Sequence, residues 1–136
     1  MMARQRTHDM EKKPLDAPMM TFDIPTLLEE LKSEKAWQTG DRNAMTLSKG
    51  QGLRVLLVAL HGGATIPSHQ TDSPISLQVI DGSLNFGSGT KAATLRKGEL
   101  LTLEGGVPHT VEALEESAFL LTLATDRPHP TEGSGQ

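Results

Sequence analysis

The sequence of 136 residues contains no cysteine, few aromatic residues and no excess of positive charge. Without cysteine the protein can form no disulfide, no thiolate nucleophile and no cysteine-ligated zinc site. A formal net charge of -4 offers no basic field to a phosphate backbone, so nucleic acid is not an expected partner. No apolar run approaches the length of about 20 residues that a membrane span requires, and the N-terminus lacks the apolar stretch of a signal peptide. We therefore predict a cytoplasmic protein with no membrane partner.

The length and the composition allow one small domain with an aliphatic core. A chain of 136 residues has room for one core but not for a separate cofactor domain. Because it has only three Phe and one Trp, Leu, Val, Ile and Ala must fill that core. Residues 1-20 are polar and aperiodic and are expected to be a disordered leader, residues 21-126 to be the domain, and residues 127-136 to be a flexible tail.

Periodicity predicts one short helix followed by many strands. Leu27, Leu28 and Leu31 recur at helical spacing after Pro25, so a short amphipathic helix is expected near the N-terminus. Farther along, short apolar segments alternate with Gly, Pro, Asp and Ser, which is typical of an antiparallel sandwich or barrel. The predicted strands are 44-49, 53-61, 75-81, 83-87, 91-95, 99-103, 109-113 and 117-124.

Some of these predicted strands are apolar on one face and others are apolar on both. Alternation over 75-79 places Ile75, Leu77 and Val79 on one face, as in a strand with one side toward a core. The segment 53-60 is apolar at nearly every position, and 117-124 resembles it, so both should be covered on two faces. A central barrel covered by the N-terminal helix or by a second subunit would meet this requirement. We therefore expect a homodimer.

Two stretches of glycine and histidine carry a family resemblance. The first contains Gly63, His69, Thr71, Ile75 and Gly82, and the second contains Gly98, Glu104, Gly106, His109 and Ala113. Their spacing resembles the two motifs of the cupins, in which Gly precedes His-x-His, Glu and Gly, and a second Gly precedes Pro-x-Gly, His and Asn. The resemblance spans 63-113 and extends through flanking strands from about 44 to 124. It implies an all-β double-stranded β-helix, the cupin jelly-roll barrel, which follows the short N-terminal amphipathic helix in the chain.

The resemblance also implies a site in the barrel mouth, although part of its ligand set is replaced. Cupins usually offer three His and one Glu to divalent iron, manganese, nickel or zinc, whereas this chain keeps His69 and His109 and has Thr71 and Ile75 at two ligand positions. Ala113 replaces the Asn of the second motif. Two imidazoles fall short of the three protein ligands of a catalytic zinc or non-haem iron site.

A third metal donor would have to come from outside the motif positions. The candidates are Asp72, His61 and Gln78, of which Gln78 has the strand parity opposite to Ile75 and should point away from the barrel. With such a donor, the protein would be a metal-dependent enzyme of the dioxygenase or isomerase type.

The residues that remain favour a pocket for a small anionic or carbonyl-containing molecule, in a sensor or accessory protein. Apolar walls with a few placed polar groups are typical of small-molecule sites, and an imidazole could serve as a general base. A third alternative is an inert pocket whose histidines are satisfied within the fold. The expected lining is His69, Thr71, Ile75, Leu77, His109, Val111 and Ala113.

Overall fold

The computed structural model describes residues 15–125, except for the side chain of His69. The predicted tail 127-136 and most of the predicted leader lie outside this range. Two helices come first, α1 (Ile24–Lys32) and α2 (Lys35–Thr39), and nine strands follow. The strands are β1 (Arg42–Lys49), β2 (Leu53–Leu60), β3 (Thr65–His69), β4 (Ile75–Asp81), β5 (Ser83–Ser88), β6 (Lys91–Arg96), β7 (Leu100–Leu103), β8 (His109–Ala113) and β9 (Ser117–Ala124).

The strand β3 is the one that the sequence prediction left out. It consists of five mostly polar residues and contains Pro67, which removes a donor from the hydrogen-bond ladder. The structure places it at the edge of its sheet, paired only with β8, where a proline is tolerated. The eight strands that were predicted are all present, and their ends differ from the prediction by at most two residues.

The strands form two antiparallel sheets that enclose a core. One has five strands in the order β1-β2-β9-β4-β7, and the other has four in the order β3-β8-β5-β6. Apolar side chains from both sheets, including Val58, Phe119, Phe86 and Val111, belong to one buried cluster, the inner core. This arrangement confirms the predicted all-β jelly roll. Over residues 15–125, neither helix is long and apolar enough to span a membrane.

The outer face of the five-stranded sheet carries a second buried cluster, the outer core, beneath the helices. Asp23 caps α1 by accepting a hydrogen bond from the Thr26 amide at 3.3 Å, and the helix buries Leu31 completely. Trp37 of α2 lies in the same cluster. Strand β2 contributes Val58 and Leu60 to the inner core and Leu57 and Ala59 to the outer core. The helices therefore cover the second apolar face, as the pattern of β2 predicted.

The two ends of the barrel are built from different loops. At one end, the mouth, lie the loops 70–74 and 104–108 and the hairpin turns 50–52 and 89–90. At the other, the far end, lie the connections 61–64, 97–99 and 114–116 and the single residue Gly82. Leu15, near the end of the predicted leader, accepts a hydrogen bond through its carbonyl from the Lys49 amide at 2.7 Å. The mouth is where the motif histidines lie.

Candidate functional site

Two loops at the mouth are joined by a hydrogen bond. The Gly106 amide donates to the Thr71 carbonyl at 2.7 Å, which joins the loop between β7 and β8 to the loop between β3 and β4. Gly105 lies so close to this second loop that a Cβ would collide with the Asp72 carbonyl group. Only glycine, which has no Cβ, allows this approach. The Gly105-Gly106 pair thereby sets the position of the chain leading to His109.

His109 is the one motif histidine whose ring the structure describes. It begins β8, is 4% exposed, and stacks on Phe86 with ring centroids 5.2 Å apart and planes at 12°. Its Nδ1 lies 3.1 Å from the Val107 carbonyl oxygen. Because a carbonyl can only accept, Nδ1 carries the proton of that hydrogen bond, and a neutral ring then has its lone pair on Nε2. The ring is fixed in both orientation and tautomer.

The neighbouring strand brings the second motif histidine to the same level. The main chain of His69 pairs with that of His109 between β3 and β8, while the His69 side chain is outside the described part of the chain. Thr71 follows in the loop, half-buried, and its hydroxyl donates to the Ser73 carbonyl at 2.8 Å. This hydrogen bond uses the one hydroxyl proton, so Thr71 has only lone pairs left for a ligand.

The apolar residues predicted to line the pocket lie at different depths. Ile75 starts β4 at the level of the mouth, paired with Leu103 and Leu123, and is 5% exposed. Leu77, Val111 and Ala113 are each at most 3% exposed and pack within the inner core. They form a floor beneath the mouth, whereas Ile75 is part of its wall.

Comparison with known proteins gives matches among solved structures. No family model matches the sequence, and no curated protein matches it. A cupin superfamily protein from Desulfitobacterium hafniense superimposes with a TM-score of 0.66 at 11% identity, over 84% of this chain and 97% of that one. A conserved protein of unknown function from Streptococcus pyogenes gives 0.65 at 18% identity, over 86% and 94%. The chain has the cupin fold.

The range of cupins with this similarity is wide. A salicylate 1,2-dioxygenase from Pseudaminobacter salicylatoxidans superimposes with a TM-score of 0.70 at 13% identity, over 82% of this chain but 36% of that one. One neighbour is of unknown function and another is an enzyme, at identities that carry the fold alone. The motif resemblance is thus confirmed for architecture.

Measured against the cupin ligand set, the described donors do not fit a metal ion. His61 stacks on Trp37 at 3.5 Å between centroids, with Nε2 2.9 Å from the Trp37 carbonyl oxygen, and it follows β2 at the far end. Gln78 is exposed on the outer face, as its parity predicted, and Asp72 is exposed in its loop. Over the described residues, which leave out the His69 side chain, no three His, Asp or Glu side chains converge as a metal site.

A residue that the sequence interpretation missed points into this mouth. Strand β2 pairs with β9 in regular register from Leu53 to Leu60, and Leu56 and Val58 face the inner core. Arg54 lies on the same face because side chains alternate along a strand. The signal was present in the sequence, as Arg54 is the one charge in a strand otherwise apolar on both faces.

Proposed function

We propose that this cupin-fold protein binds a small organic molecule in the barrel mouth. The observation that carries the proposal is His109, a buried imidazole fixed by Phe86 and Val107 above an apolar floor. A pocket of this kind, with few polar groups placed among apolar walls, suits a small ligand. Ligand binding without catalysis would be sufficient for a role as a sensor or accessory protein.

In this proposal each lining residue has a distinct part. His109 and His69 supply imidazoles that can hydrogen-bond a polar group of the ligand, and the Thr71 oxygen can accept from a donor group. Ile75 contacts its apolar part. Leu77, Val111 and Ala113 limit how deeply it enters.

A metal-dependent reaction is the rival function. One cupin neighbour is named a salicylate dioxygenase, but a likeness at 13% identity does not transfer a reaction. The Nδ1–H of His109 on a carbonyl is an arrangement that metal-ligating histidines share. The described donors, which do not include the His69 side chain, bring together no three ligands of the kind that a catalytic metal site requires, so we place ligand binding first and test for a metal directly.

Ligand-dependent stabilisation tests the proposal, with a second histidine as the matched control. A compound library is screened by thermal denaturation against wild type, His109→Gln and His61→Gln. His61 also stacks on an aromatic ring and bonds a carbonyl, but at the far end. At a concentration of 100 Kd a ligand adds about 2.7 kcal/mol of stability, which we expect in wild type and His61→Gln and not in His109→Gln.

The other outcomes separate the alternatives. A stabilising compound that acts equally on all three proteins binds outside the mouth. A library without any hit supports the inert pocket. Near-stoichiometric iron, manganese, nickel or zinc in protein purified without chelator or nickel resin, lost in the double variant His69→Ala/His109→Ala, would support the metal-dependent enzyme instead.

Self-association and location in the cytoplasm are further parts of the proposal. No residue of β7 belongs to the outer core, and Leu100 on the outer face of this strand is 58% exposed. A groove of about 520 Å³ lies there, bordered by Ser76, Thr102 and Thr122. A second copy covering this face would form the homodimer, and sedimentation of wild type against Leu100→Glu tests it, since a monomer in both would contradict the idea. The proposed location in the cytoplasm is based on composition alone.

A further inference from the structure

No acidic side chain in the described part of the protein forms an ion pair with Arg54. Its Nε is sealed from solvent and makes no hydrogen bond, and no hydrogen bond or ion pair joins its guanidinium to any of residues 15–125. The side chain as a whole is half-buried, and of the guanidinium nitrogens only Nε is sealed from solvent without a partner. A buried donor without a partner is costly, and natural structures rarely keep one without a reason.

The neighbouring charges increase this cost. Lys49 lies directly opposite Arg54 on β1, and like charges in opposed positions of a sheet repel. Glu104 follows the last residue of β7, which lies three strands away from β2, or about 14 Å at the usual strand spacing. An anion between the two cations would remove the repulsion that the unliganded protein retains.

The residues in register with Arg54 indicate what kind of anion fits. Across the inner face of the sheet, Arg54 pairs with Leu123, which pairs with Ile75, which pairs with Leu103. One cation thus begins a row of three aliphatic side chains. A planar guanidinium matches a carboxylate with two parallel hydrogen bonds, and the aliphatic row suits a hydrocarbon chain.

We propose that Arg54 binds the carboxylate of a small organic acid through its Nη nitrogens, while the carbon chain lies along Leu123, Ile75 and Leu103. This inference rests on the proposed function and names the class of its ligand. Its geometry places the acid group on the five-stranded sheet, opposite the sheet that carries His109.

Paired acids and amides test the role of the charge. Acetate, butyrate and hexanoate, each with its amide, are titrated into isotope-labelled full-length protein and followed by NMR at the Arg54 Nε–Hε signal, the Ile75 methyls and the His109 ring signals. The variants are Arg54→Met and, as the matched control, Arg42→Met at the far end. We expect the acids to bind in the order of chain length and the amides to bind far more weakly. Loss of hydrogen bonds to a charged group should weaken acid binding about 10- to 100-fold in Arg54→Met and leave it unchanged in Arg42→Met.

Each contrary outcome has a separate meaning. Acids and amides that move the Ile75 methyls equally, in wild type and Arg54→Met alike, would overturn the inference and leave the proposed function standing. Inorganic phosphate binding as tightly as hexanoate would also overturn it, because the aliphatic row would then contribute nothing. If no compound moves the Ile75 methyls or the His109 ring signals, the inference fails, and the proposed function then depends on the separate screen of the compound library.

Discussion

The far end and the mouth of the barrel differ in how completely their polar groups are paired, and two arginines show the difference. Arg42 at the far end donates from Nε to Asp41 at 2.9 Å and from a second nitrogen to the Thr65 carbonyl at 2.7 Å. Arg54, at the opposite end of the adjoining strand, has no partner among residues 15–125. Pairing of buried polar groups, as at Arg42, stabilises a fold, whereas Arg54 is the group that we propose a ligand pairs.

A buried serine extends the same contrast. Ser117 is 1% exposed, its hydroxyl accepts from the Ser83 amide at 3.0 Å, and it lies 2.9 Å from the Ser83 carbonyl oxygen. The hydroxyl of Ser83 in turn donates to Glu115. These contacts join the start of β5 to the start of β9, so the far end acts as one packed unit.

The largest effect is expected where this packing is tightest. Gly82 has φ +80°, and a Cβ there would collide with the Glu116 carbonyl oxygen and the Ser117 hydroxyl. Gly82→Ala should lower the free energy of unfolding by about 3 kcal/mol through backbone strain and overpacking, measured by urea denaturation at unchanged m-value.

A second glycine isolates the steric part of that loss. Gly98 has φ +89° with no atom near its would-be Cβ, so Gly98→Ala should cost about 1 kcal/mol from strain alone. Equal losses in the two variants would mean that the far end relaxes around the extra methyl group, contrary to the tight packing described there.

The mouth should respond in the opposite direction. Arg54 is a partly buried cation that faces Lys49 and has no partner among residues 15–125. Arg54→Met should therefore raise the free energy of unfolding of the ligand-free protein by about 1 kcal/mol. Arg42→Met, which removes a paired arginine, should leave it equal or lower it by up to about 1 kcal/mol. Thermal and urea denaturation measure both. A destabilised Arg54→Met would indicate a structural arginine, contrary to our interpretation.

The smallest effect concerns pH at the far end. The hydrogen bond from Arg42 lowers the pKa of Asp41 below its ordinary value of 3.8. A carboxyl whose pKa is lower in the folded state stabilises the protein above the unfolded pKa, and this contribution is lost as pH falls through the folded pKa. The difference in melting temperature between wild type and Asp41→Asn should therefore be small at neutral pH and shrink below pH 3.8. A difference that grows in acid would contradict this assignment.

Much of the fold could be predicted from local patterns, and the site only in part. The spacing of Gly63, Gly82 and Gly106 reflects turns of fixed geometry, so it indicated the barrel directly. The sequence did not predict strand β3, because Pro67 and its polar neighbours resemble a loop. Only pairing with β8 makes this segment a strand. Such long-range pairing cannot be predicted from local sequence patterns.

The individual site residues show the same limit. The sequence identified His109 by its motif, but its stacking on Phe86 depends on a different strand. It could not remove His61 from the candidates, because the Trp37 ring that holds it lies in α2, distant in sequence. The sequence shows Arg54 as the one charge in an apolar strand, but only the strand register shows that it lies opposite a second cation, Lys49.

The order of the strands gives the barrel a built-in direction of entry. At the far end, all four connections between described strands pass from one sheet to the other, from β2 to β3, β4 to β5, β6 to β7 and β8 to β9. At the mouth only the loops 70–74 and 104–108 do so, and they are bonded to each other. The hairpins β1-β2 and β5-β6 turn back within their own sheets. Connections between the two sheets therefore close the far end completely and the mouth only in part. A ligand would enter the mouth between the two hairpins, beside Lys49 and Arg54.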